Sequence, residues 1–134
     1  MKERPIHSGR GRIDIVFYNN AKKGFFNNLT SIHKIHCPYI FIECKNYNKD
    51  LIVKDFDQLT RRFSDKRGNF GFITCRKIQD KKKILQFCRY ILNDKRGYVI
   101  VLEDDDLKNL LETKIENDKE INTILQNKMD ELLF

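Results

Sequence analysis

Charged side chains inside otherwise apolar segments are the positions of this chain that could do chemistry. Asp14 lies within the run Ile13-Asp14-Ile15-Val16, and Glu43 and Lys45 close the run Ile40-Phe41-Ile42-Glu43-Cys44-Lys45. A buried ion costs several kcal/mol unless it is paired or bound to metal, so such residues call for a reason. With a strand period of two, Glu43 and Lys45 share one face, while Ile40, Ile42 and Cys44 share the other. If the strand carrying Asp14 lies alongside, two carboxylates come within a few ångströms and repel unless a cation sits between them. A divalent metal resolves that conflict, and hard oxygen ligands favour Mg²⁺ or Mn²⁺ over zinc.

The elements that must position these residues can be read from apolar spacing. Arg12–Tyr18, Tyr39–Lys45, Phe70–Cys75 and Tyr98–Leu102 are rich in β-branched and aromatic residues and are predicted strands. Lys54–Lys66, with Phe56, Leu59 and Phe63, and Gln79–Asp94, with Ile84, Phe87, Cys88, Ile91 and Leu92, are predicted helices. Strand, helix, strand, helix, strand from Tyr39 to Leu102 predicts βαβ crossovers with the last three strands parallel. Ala21–Ile35 is a weaker helix, interrupted by Gly24 and Asn27-Asn28, and Gly68 and Gly97 mark returns into strands. Beyond Asp104, Leu107, Leu110, Leu111 and Ile115 form one stripe and Ile121, Ile124, Leu125, Leu132 and Leu133 another, predicting two helices or one broken near Asn117.

At 134 residues, with 40% hydrophobic residues and 10 Phe, the chain suits one α/β domain with a real core. Its net charge of +7 conceals an asymmetry: residues 1–102 hold 22 Lys/Arg against 9 Asp/Glu, and residues 103–134 hold 4 against 10. The expected organisation is a basic catalytic body over about 1–102 and an acidic helical part over about 103–134. A basic body is the footprint of a protein that meets phosphate backbones. No apolar run is long enough to span a membrane, and the residues after Met1 are polar, so neither membrane insertion nor secretion is expected. Cys37, Cys44, Cys75 and Cys88 contain no Cys-x-x-Cys pair and are expected to stay reduced in the cytoplasm.

Gly11-Arg12-Ile13-Asp14-Ile15 and Glu43-Cys44-Lys45, in this element order, resemble the PD-(D/E)XK nuclease superfamily, the restriction-endonuclease-like fold. That family places its Asp on one strand and its Glu-x-Lys on the next, then continues helix, strand, helix; the resemblance covers about residues 11–102. It implies a central mixed sheet flanked by helices and a Mg²⁺-dependent DNA endonuclease, Mn²⁺ being an alternative ion. It implies that Asp14, Glu43 and the carbonyl of Cys44 hold the metal and that Lys45 assists the attacking water. Some branches carry Gln-x-x-x-Tyr on the following helix; here Gln58 matches and Arg62 replaces the Tyr, and with Arg12 these are the candidate nucleic-acid contacts. Many relatives draw a third acid from a helix before the first strand. Only 13 residues precede Asp14, so either the site uses two acids or, the favoured expectation, the chain is one domain of a longer protein whose upstream part supplies the third.

The triplet alone is weak: 7 Glu and 17 Lys give about one Glu-x-Lys by chance, and Glu112-Thr113-Lys114 is a second copy. That copy lies in a predicted helix, where residues two apart do not share a face. His33, His36 and Cys37 lack a fourth ligand at zinc-site spacing. DNA is expected ahead of RNA, and a homodimer would suit double-strand cleavage. Two rival readings are a nucleic-acid-binding module of the same fold without turnover, and an assembly protein associating through the stripe Leu107–Leu133.

Overall fold

In a computed structural model the chain runs β1 (Glu3–Ile6), β2 (Ile13–Tyr18), α1 (Gly24–Ser31), β3 (Tyr39–Cys44), α2 (Val53–Thr60), β4 (Phe70–Cys75), α3 (Lys81–Asn93), β5 (Tyr98–Glu103), α4 (Asp104–Glu116) and α5 (Asp118–Leu133). The structure describes the backbone of residues 3–6, 13–46, 48–116 and 118–134, and the side chains of 14–46, 48–112 and 120–134. The five strands form one mixed sheet in chain order. β1, β2 and β3 pair antiparallel, and β3, β4 and β5 pair parallel, as their helical crossovers require. The architecture is therefore α/β, with a mixed sheet covered by helices on both faces.

Successive crossovers stepping the same way, β3 to β4 to β5, bring α2 and α3 together, and Phe56 of α2 meets Phe87 of α3 at 5.3 Å. On the other face α1 stacks Phe25 on Phe70 and Phe26 on Phe72. Gly24, with φ +82°, opens α1 rather than interrupting it, and Asn122 of α5 accepts a hydrogen bond from the Phe25 N–H at 2.8 Å. A side chain borrowed from α5 thus satisfies one of the helix's exposed donors. Leu125, Met129 and Leu132 of α5 are buried in the same core as Leu29 and Ile40. Most of the C-terminal apolar stripe is spent on the chain's own core, whereas Leu111 is 68% exposed.

Two elements differ from the sequence expectation. α2 ends at Thr60, not Lys66: residues 61–62 turn, and Ser64 bridges Gly68 with N–H···O bonds of 3.2 and 2.7 Å. Phe63 continues the apolar spacing of a helix but packs on Phe41 from beyond the helix end. β1, not anticipated, pairs Ile6 with Asp14 in register; it carries Pro5, a residue suited to an edge strand. Among the described residues no helix is long and apolar enough to cross a membrane.

Candidate active site

The register of β2 against β3 places Asp14 directly opposite Glu43, so both carboxylates leave the same face of the sheet. The Lys45 N–H bonds the Thr74 carbonyl at 2.8 Å, extending the β3–β4 ladder past the strand's last residue and keeping Lys45 on the Glu43 face. The helix above that face is α2, which sits close because β4 offers no side chain at Gly71. A Cβ there would come within 3.0 Å of Leu59 and 3.1 Å of the Phe41 carbonyl. Gly97, at φ +139°, likewise leaves room for the Phe63 ring just beyond α2. Seated this way, α2 and the turn after it direct Asp55, Gln58 and Arg62 at the two strands.

The cluster is densely wired. Lys45 Nζ donates to Gln58 Oε1 at 2.5 Å and lies 3.6 Å from Asp55 Oδ1 and 3.9 Å from Glu43 Oε2. Arg62 Nη2 donates to Asp14 Oδ2 and lies 3.7 Å from Glu43 Oε1. Asp55 also accepts from the Ile52 N–H at 2.8 Å, capping the first turn of α2. Asp14, Glu43 and Lys45 are only 2%, 1% and 3% exposed, while the Arg62 side chain is 18% exposed. Among the described residues three carboxylates meet two cations in a place where water does little screening.

Asp14, Glu43, Lys45, Gln58 and Arg62, all singled out from the sequence, thus converge on one spot, and Arg12 lies outside the described residues. Gln58 and Arg62 turn inward to Lys45 and Asp14, not outward to solvent. The sequence argument expected a metal ion to separate the two carboxylates; in the structure the Arg62 guanidinium reaches both. Asp55 was overlooked, although its position three residues after the helix N-cap is where an acid commonly bonds back to the backbone. The donor chemistry fits a hard divalent ion: two opposed carboxylates, with the Cys44 carbonyl on the same strand end. Among the described residues no group of three or more His, Cys, Asp or Glu side chains forms a metal site, so the carbonyl and water would complete the coordination. His33, His36 and Cys37 do not assemble: His36 bonds the Asp65 carbonyl at 2.6 Å, and His33 meets Gln126 at 3.3 Å.

A basin of about 170 Å³, lined in part by Lys45, Asn46, Thr74 and Arg76, opens at the carboxyl ends of β3 and β4. Parallel strands commonly present their ligands at this end. All four cysteines are free thiols. Burial, reinforced by Glu103, pushes the Cys75 thiol up to about 12, and burial does the same to Cys88; neither is a nucleophile at neutral pH. Comparison with protein-family models, with curated proteins and with solved structures finds no match.

Proposed function

We propose that this chain is a Mg²⁺-dependent DNA endonuclease of the restriction or phage-defence type, with a PD-(D/E)XK-like site. The observation that carries the reading is the opposition of Asp14 and Glu43 across β2 and β3, with Lys45 on the same face and all three buried. The basic body of residues 1–102 supplies the attraction for a phosphate backbone.

Asp14, Glu43 and the Cys44 carbonyl would hold the ion. A bound Mg²⁺ supplies Lewis-acid activation of the scissile phosphate and of the attacking water. Lys45, held by Gln58, orients that water and offsets negative charge gathering on the phosphoryl oxygens. The water oxygen bonds to phosphorus as the P–O3′ bond breaks, and the 3′ oxygen leaves with a proton, giving a 5′-phosphate. Cutting both strands of a duplex calls for two copies of this single site, hence a homodimer or a further subunit.

A second reading has its own support: Arg62 already reaches both carboxylates, as a DNA-binding module without turnover would permit. Supercoiled plasmid incubated with the purified protein separates the two. Nicking is expected with Mg²⁺ or Mn²⁺ and none with chelator, and Asp14→Ala, Glu43→Ala and Lys45→Ala should lose nicking but keep the DNA affinity that the wild type shows in chelator. Nicking that persists in chelator overturns the metal mechanism; binding without nicking under every condition establishes the second reading.

A further inference from the structure

Among the described residues two cations serve the buried carboxylates, and they are held very differently. Lys45 has a short hydrogen bond to Gln58 and ion-pair neighbours in Glu43 and Asp55, and it emerges from a strand whose backbone is fixed on both sides. Arg62 follows α2 in a turn, and its guanidinium is the most exposed charged group of the cluster. Its Nε is buried, yet among the described residues nothing accepts a hydrogen bond from it. A planar fork of five donors is best satisfied by a bidentate anion such as a phosphate. Arg62 therefore occupies the cation position between Asp14 and Glu43 without filling its own hydrogen-bonding capacity.

We propose that Arg62 is an exchangeable internal cation: a divalent ion binds Asp14 and Glu43 only as Arg62 leaves them, and the released guanidinium then engages a phosphate of the nucleic acid. This rests on the nuclease reading of the same site and adds substrate coupling to it. While Arg62 is paired inward, the site carries its own competitor for metal. A phosphate that draws Arg62 outward frees the carboxylates, so metal and nucleic acid each raise the affinity for the other. The departure is electrostatically allowed because a doubly charged ion replaces a singly charged one beside two carboxylates.

The test is Mn²⁺ affinity, measured by calorimetry and by the paramagnetic signal of unbound Mn²⁺, for the wild type, Arg62→Gln and Glu43→Gln, without nucleic acid. Removing the competitor should tighten Mn²⁺ binding by about tenfold or more in Arg62→Gln, while Glu43→Gln should abolish it. With Ca²⁺ as a non-hydrolysing ion, Arg62→Gln should bind a short DNA duplex less tightly than the wild type, and with chelator the two should bind alike. If Arg62→Gln folds only when Mn²⁺ is present, that dependence is itself the expected exchange. If it does not fold at all, Arg62→Lys, with one donor group in place of the fork, takes its place in the comparison and should bind Mn²⁺ more tightly than the wild type. Equal Mn²⁺ affinity in wild type and the folded Arg62 variant, with binding lost in Glu43→Gln, overturns the exchange but leaves the metal site standing. Absence of Mn²⁺ binding in every form overturns both.

Discussion

Two corners of the sheet bury acids, and they handle them in opposite ways. At the end of β5, Glu103 is 8% exposed and fully occupied by local structure: it accepts from the Ile78 N–H at 3.1 Å and faces Lys81 at 3.4 Å. Its own N–H is taken by Asp106 at 3.0 Å. Two carboxylates, two backbone donors and one exposed lysine join α3 and α4 to the strand. At β2 and β3, by contrast, three acids meet two cations among the described residues, Lys45 from the end of β3 itself and Arg62 from the turn after α2. Burial alone does not mark an active centre. What separates the corners is that a backbone N–H engages the Glu103 carboxylate, whereas side-chain cations from the end of β3 and the turn after α2 reach Asp14 and Glu43.

Several measurements sharpen or break this contrast. The largest effect should come from exchanging each acid for its amide. Glu43→Gln is expected to lower plasmid nicking about 10²- to 10³-fold, whereas Glu103→Gln should cost about 1–3 kcal/mol in a urea melt and leave the nicking rate of the folded protein unchanged. Equal loss of nicking in both would erase the distinction. A smaller effect is expected at alkaline pH. The Cys75 and Cys88 thiols keep their protons more tightly when folded, at about 12, than at their ordinary value of 9.0. The native state then holds more protons than the unfolded state above pH 9, so this stabilisation is complete below 9 and drains away as pH rises toward 12. The urea midpoint should fall between pH 8.5 and 11, more steeply than in a Cys75→Ser/Cys88→Ala variant. The smallest effect should come from the exposed pair of Arg96 with Asp57, 2.6 Å apart and also bonded to Thr60. Arg96→Ala should shift stability by less than about 1 kcal/mol.

Much of this was legible in the amino-acid order. The apolar runs located β2 to β5 to within about a residue, because strands buried on both faces write themselves as nearly unbroken Val, Ile and Phe. Their interruptions by Asp14, Glu43 and Lys45 located the charge cluster for the same reason. Three features were hidden, each because its cause is remote in sequence. The end of α2 is set by Phe63 meeting Phe41, not by a helix-breaking residue. The start of α1 is secured by Asn122, 97 positions away. Arg62, read as an outward contact, is drawn inward by Asp14, 48 residues earlier. The rival view of the C-terminal stripe as an assembly surface is weakened for a similar reason, since Leu125, Met129 and Leu132 are already enclosed. Deleting residues 104–134 would therefore report on folding before it reported on association.

The bond from Phe25 to Asn122 gives the order of synthesis a structural meaning. All five strands and both crossovers emerge from the ribosome before α5, yet α1 lacks its capping partner and the sheet face beneath it lacks Leu125, Met129 and Leu132 until that helix arrives. The nascent chain can complete its hydrogen-bonded sheet early, but it closes over its own grease only when translation reaches α5.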